Sequence, residues 1–142
     1  MEFSEDARYQ AMTEAYALDA IDYARDNMKL ALDWSDQSIE VLESILDVFH
    51  RELVKAKPTD EQVAEFSRIW GCYLGEAYRK NHGATWGRVT QGDQSFPGMK
   101  ATSGMLFWPW GRVENRLRNG PEDNVWHYYL SLTGQLQASK SE

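Results

Sequence analysis

The sequence predicts an α+β fold, mainly α-helical with about five helices and a small antiparallel β-sheet in the C-terminal half. Three observations carry this expectation. Apolar residues recur at helical spacing over most of residues 1 to 83. After Gly83 the chain turns to short, alternating pieces rich in glycine and aromatic residues. Helical spacing then returns beyond Pro109.

The elements follow in order. From about Ser4 to Leu32, the residues Tyr9, Met12, Tyr16, Ala20, Tyr23, Asn27 and Leu30 form one helical stripe. Its tyrosines read as a core face, because a tyrosine ring can be covered while its hydroxyl reaches a polar group. Ser35-Asp36-Gln37-Ser38 then offers N-cap oxygens to a regular helix over residues 37 to 55. On its wheel Val41, Leu42, Ile45, Leu46, Val48, Phe49 and Leu53 share one side, and Glu40, Glu43, Ser44, Asp47, His50 and Arg51 share the other.

The third helix is the best marked. Thr59-Asp60-Glu61-Gln62 is a capping box, and Asn81-His82-Gly83 is a stop with glycine free to adopt a left-handed backbone. Val63, Phe66, Trp70, Tyr73, Leu74, Ala77 and Tyr78 make one broad apolar face, while Ile69 and Cys72 lie opposite. Apolar residues on both sides predict a central helix, and Gly71 and Gly75, four apart, allow another backbone to come close.

Thr85 to Thr90 alternates as a strand, Gln91-Gly92-Asp93 reads as a turn, and Met99 to Trp108 returns as one or two strands. Pro109 and Trp110 open a short helix through Arg112, Val113, Arg116 and Leu117 that stops at Asn119-Gly120. A last helix carries Val125, Trp126, Tyr129, Leu130 and Leu132 and ends near Gly134. With 142 residues the chain reads as one domain (1–142): a helical part at 1–83, a small β part at 84–110, helices at 111–134 and a frayed tail at 135–142.

Composition narrows the classes of function. Cys72 is the only cysteine, which leaves no disulfide framework and no cysteine-based zinc spacing, and fits a reducing compartment. Met1 to Asp6 is acidic where a signal peptide is basic, and no apolar run approaches the roughly 20 residues of a membrane span. A cytoplasmic protein is expected, with no membrane partner. The net charge of −7 is unevenly placed: residues 1–65 hold 16 acids and 6 bases, residues 66–142 hold 6 acids and 9 bases. Residues 79–118 collect Arg79, Lys80, Arg88, Lys100, Arg112, Arg116 and Arg118 among several tryptophans, but the overall negative charge opposes phosphate binding, and no nucleic-acid partner is expected.

No phosphate-binding glycine loop, G-x-S-x-G elbow or H-E-x-x-H motif is present. Glu43, Asp47 and His50 stand one helical turn apart, the spacing of a carboxylate–imidazole metal site, but no second such step exists. They read as a solvated acidic face. No metal, no cofactor and no catalytic residue is expected. Glu76 is the exception of interest: on the second face of the central helix its carboxylate needs a partner, and Arg79 is within one turn.

Leu32-Asp33-Trp34-Ser35 with Ser38-Ile39, then Gly71 to Arg79 and Asn81-His82-Gly83-Ala84-Thr85-Trp86, resemble a family of small bacterial proteins of uncharacterised function. Its signature is a Leu-Gly-Glu helix followed by Gly-x-x-Trp, matched by Leu74-Gly75-Glu76 and by Gly83 with Trp86; Ala84 stands where a second glycine is common. The resemblance spans about Tyr16 to Leu132 and bears on fold more than on chemistry. Some proteins of this kind look like immunity partners of secreted toxins. The expectation is therefore a non-enzymatic module that binds a protein, such as a cognate toxin, through Glu40, Glu43, Asp47 and His50. The alternative is a small-molecule or enzymatic site around Glu76, Arg79 and Trp86.

Overall fold

The computed structural model describes residues 1–134; the tail expected to fray lies outside the described residues. The fold is α+β and mainly helical. In chain order it runs β1 (Glu2–Glu5), α1 (Ala7–Tyr23), α2 (Ser38–Ala56), α3 (Asp60–His82), β2 (Ala84–Gln91), β3 (Gln94–Ala101), β4 (Leu106–Phe107), α4 (Pro109–Asn119) and α5 (Val125–Thr133). A π-helical turn at Ala24–Met28 extends α1, and a 3-10 turn at Pro121–Asp123 precedes α5.

The N-terminus departs from expectation. Residues 2–5, partly inside the predicted first helix, form an edge strand with Phe3 opposite Val89 in a sheet ordered β1-β2-β3-β4. The helix begins only after Asp6, whose carboxylate accepts the Arg8 N–H at 3.0 Å. The tyrosine stripe is also displaced from the core. Thr13, Ala17, Ala20 and Ala24 are the fully buried positions, whereas Tyr23 is 39% exposed. Small side chains let α1 lie close against α3, and the tyrosines cover the edges of that contact.

The central position of α3 is as predicted. The capping box forms in both directions, Gln62 N–H to Thr59 Oγ1 at 3.1 Å and Thr59 N–H to Gln62 Oε1 at 2.9 Å. Every residue from Trp70 to Tyr78 is buried. At Gly71 a Cβ would stand 2.7 Å from the Trp110 Cα, and at Gly75 it would collide with the Trp86 ring. These two glycines are what allow α4 and the sheet to close on the helix.

The strands are antiparallel, with Trp86 opposite Met99 and Met99 opposite Phe107. That row packs on α3, where Tyr78 meets Phe107 at 4.9 Å between ring centroids. The β2–β3 hairpin turns at Gly92, with φ of 62°. Helix α4 buries Val113, Arg116 and Leu117, and α5 buries Val125 and Tyr129. Among the described residues, no helix is long and apolar enough to cross a membrane.

Candidate functional site

Glu76, Arg79 and Trp86 come together as the spacing and the strand start require. Glu76 is 0% exposed, and both its oxygens are occupied. Oε2 accepts from Arg79 Nε at 2.7 Å and from Trp86 Nε1 at 3.1 Å. Oε1 accepts from Gln10 Nε2 at 3.2 Å and from Arg79 Nη2 at 3.4 Å. A buried carboxylate needs a counter-ion and hydrogen bonds to its remaining lone pairs, and here it has both. The cluster joins α1, α3 and β2 and leaves Glu76 no free oxygen for a ligand.

Cys72, one turn earlier, accepts a hydrogen bond from Trp110 Nε1 at 3.0 Å. Burial pushes its thiol up to about 12, the opposite of what a nucleophile requires.

The acidic face of α2 is not the solvated surface read from its wheel. Arg116 of α4, with its side chain only 1% exposed, lies between Glu43 and Asp47, 2.8 Å from one carboxylate and 2.7 Å from the other. Glu43 Oε1 also accepts the Val125 N–H at 2.9 Å where α5 begins. The Arg116 guanidinium holds the Asp47 carboxyl below the usual carboxylate range. His50 is bonded through Nδ1 to the Leu117 carbonyl at 2.7 Å and lies against Gly120. Of the four residues expected to meet a partner, only Glu40 is exposed; its carboxylate accepts from the Gln37 amide at 2.7 Å. A wheel shows which residues share a side but not what covers it, and here α4 and α5 pack on Glu43, Asp47 and His50 while Glu40, Ser44 and Arg51 stay exposed. The available signal was Arg116 itself, a cation at apolar spacing with Val113 and Leu117.

The loop before α2 is held by a third polar group. Asp36 accepts from His82 Nε2 at 2.9 Å and from the Tyr129 hydroxyl, tying the loop to the end of α3 and the middle of α5. Trp34 has φ of 70°, a costly backbone for an aromatic residue. Its N–H donates to Tyr73 Oη at 2.9 Å, its carbonyl accepts from Asn81 at 2.7 Å, and its ring stacks on Tyr73 at 5.2 Å. These contacts over-determine the conformation.

One concave surface of substantial size does not follow from any motif. Phe49, Leu53 and Ala56 of α2, Val63, Phe66 and Ile69 of α3, and Leu117 of α4 line an apolar groove of about 730 Å³. Phe66 is 41% exposed, its ring 5.0 Å from that of Phe49. Glu52, Glu65 and Gln62 also line it, and among the described residues no Lys or Arg does so. Among the described residues, no group of three or more His, Cys, Asp or Glu side chains is placed to hold a metal ion.

Compared with protein-family models, curated proteins and solved structures, the chain gives no match in any of the three.

Proposed function

We propose that the chain is a non-enzymatic, cytoplasmic protein-binding module, most concretely a bacterial immunity protein that neutralises a cognate toxin by binding and occluding it. The observation that carries this reading is a contrast. Glu76, Cys72, Glu43, Asp47 and His50 are engaged by neighbouring elements of the fold, while the open concave surface is apolar and edged by carboxylates. Contiguous exposed apolar surface of this kind marks interaction sites. The net charge of −7 favours a basic partner, steered over a distance that shrinks as salt rises.

A small-molecule or enzymatic role around Glu76, Arg79 and Trp86 stands second. Arg79 keeps 28% of its side chain exposed beside the cluster, but the carboxylate it would share with a ligand is already saturated.

The test is isolation of the tagged chain from its native host with its bound proteins. A single one-to-one partner is expected, toxic when expressed alone and harmless when this chain is co-expressed. Recovery of no stoichiometric partner sinks the proposal.

A further inference from the structure

The apolar stripe of α2 outruns its cover. Leu42, Ile45 and Leu46 are fully buried, but α4 ends at Asn119, and Leu117 is its residue in the groove. Beyond that point Phe49, Leu53 and Ala56 continue the stripe at i, i+4 and i+7. Opposite them Phe66 and Ile69 follow buried Val63 at steps of three along α3. Two helical ridges at these spacings, meeting at the Lys57–Thr59 turn, form the kind of surface into which a third helix seats its own ridge.

We infer that this groove binds one amphipathic helix of a partner protein, with its apolar stripe on Phe49, Leu53 and Phe66 and its Lys or Arg residues beside Glu52 and Glu65. The inference rests on the protein-binding reading and gives it a surface. Charge selects the occupant: both ionisable side chains lining the groove are carboxylates, so a helix with acidic flanks meets repulsion and one with basic flanks meets attraction. Helix-in-groove docking uses such i, i+3, i+4 anchors.

The probes are two capped helical peptides of about 18 residues, long enough to form helix, sharing one leucine stripe and carrying either Lys or Glu at every flanking position. Binding is read by fluorescence anisotropy and by amide chemical-shift changes in the labelled full chain. The Lys peptide is expected to bind at least about tenfold more tightly than the Glu peptide, with shifts at Leu53, Phe66 and Ile69. The double reversal Glu52→Lys with Glu65→Lys should weaken it by about tenfold or more, whereas Glu14→Lys with Asp19→Lys, an equal charge change on α1, should leave it within about twofold. Phe66→Ala, at an exposed position, should weaken it with the fold intact.

Equal losses in the two double variants would mean general charge attraction and overturn the inference, as would equal affinity for the two peptides. It also falls if light scattering finds a dimer of this chain that Phe66→Ala dissolves, because the groove's occupant is then a second copy. If the Lys peptide does not bind but a one-to-one native partner is captured and cross-links elsewhere, the groove assignment fails and the binding-module reading survives. If neither is found, both fail.

Discussion

Arg116 of α4 reaches Glu43 of α2 at 2.8 Å across 73 residues of sequence, with the arginine side chain 1% exposed and the glutamate 14%. Burying a cation is costly unless carboxylates neutralise it, so this pairing fixes where α4 lies on α2. Glu43→Ala should then destabilise the protein by about 2 kcal/mol, because it leaves the guanidinium to Asp47 alone and removes the acceptor for the Val125 N–H. Urea unfolding checks this; a loss below about 1 kcal/mol, the range of surface pairs, would contradict it.

Acid should weaken the same contact. Asp47 has its folded pKa lowered by its hydrogen bond to Arg116, so its contribution is present above the ordinary value of 3.8 and is lost as pH falls through the lower, folded value. Asp6, drawn down to about 2 by Arg8, acts in the same direction. The urea midpoint should fall steadily below about pH 4, and Asp47→Asn should flatten that fall. An unchanged acid limb in the variant would remove Asp47 from the account.

Gly71 and Gly111 make a matched pair. Gly71→Ala places a methyl group 2.7 Å from the Trp110 Cα, a backbone atom that cannot swing aside, and should cost about 1–3 kcal/mol. Gly111→Ala meets nothing closer than 3.8 Å within α4 and should be neutral or stabilising by up to about 1 kcal/mol. Thermal melts of the two variants side by side check the contrast, and the reverse order would refute the close approach at Gly71.

Cys72 should resist thiol reagents in the native protein. Its thiol is buried and pushed up to about 12, so at pH 8 almost no thiolate is present. A disulfide-exchange dye should label it only as the chain unfolds, with one thiol released per chain in denaturant. Rapid labelling in native buffer would show the site to be open.

Glu76→Gln separates structure from ligand chemistry. The amide keeps the shape but loses the ion pair and turns one acceptor into a donor facing Arg79, Trp86 or Gln10. A loss of about 1–3 kcal/mol is expected. Full stability in this variant, together with loss of stabilisation by a small molecule that raises the wild-type melting temperature, would favour the second functional reading instead.

Glu76 also shows how far a sequence can be read. Its burial, its partner Arg79 and its approach to Trp86 were legible because the residues lie within one turn of helix and the turn that follows. Glu43 and Asp47 were misread because their partner is Arg116, and local spacing says nothing about which distant helix covers a polar face. The groove was invisible for the converse reason. Phe49, Leu53 and Phe66 carry the same apolar pattern as the core positions beside them, and only the packing of distant elements decides which are buried and which keep an open side.

By itself the sequence determined the α+β class, the capped start and glycine stop of α3, the β2 strand with the turn after it, and the room for close approach at Gly71 and Gly75. All of these depend on backbone preferences and periodicity acting within a few residues. It placed the returning strand at Met99, where β3 begins at Gln94. Tertiary structure alone decided that residues 2–5 join the sheet through Phe3 and Val89, that the acidic face of α2 is closed by Arg116, and that an apolar groove stays open between α2 and α3. A short strand, a buried ion pair and an uncovered stripe each depend on a partner element far away in the chain, where local propensity carries no information.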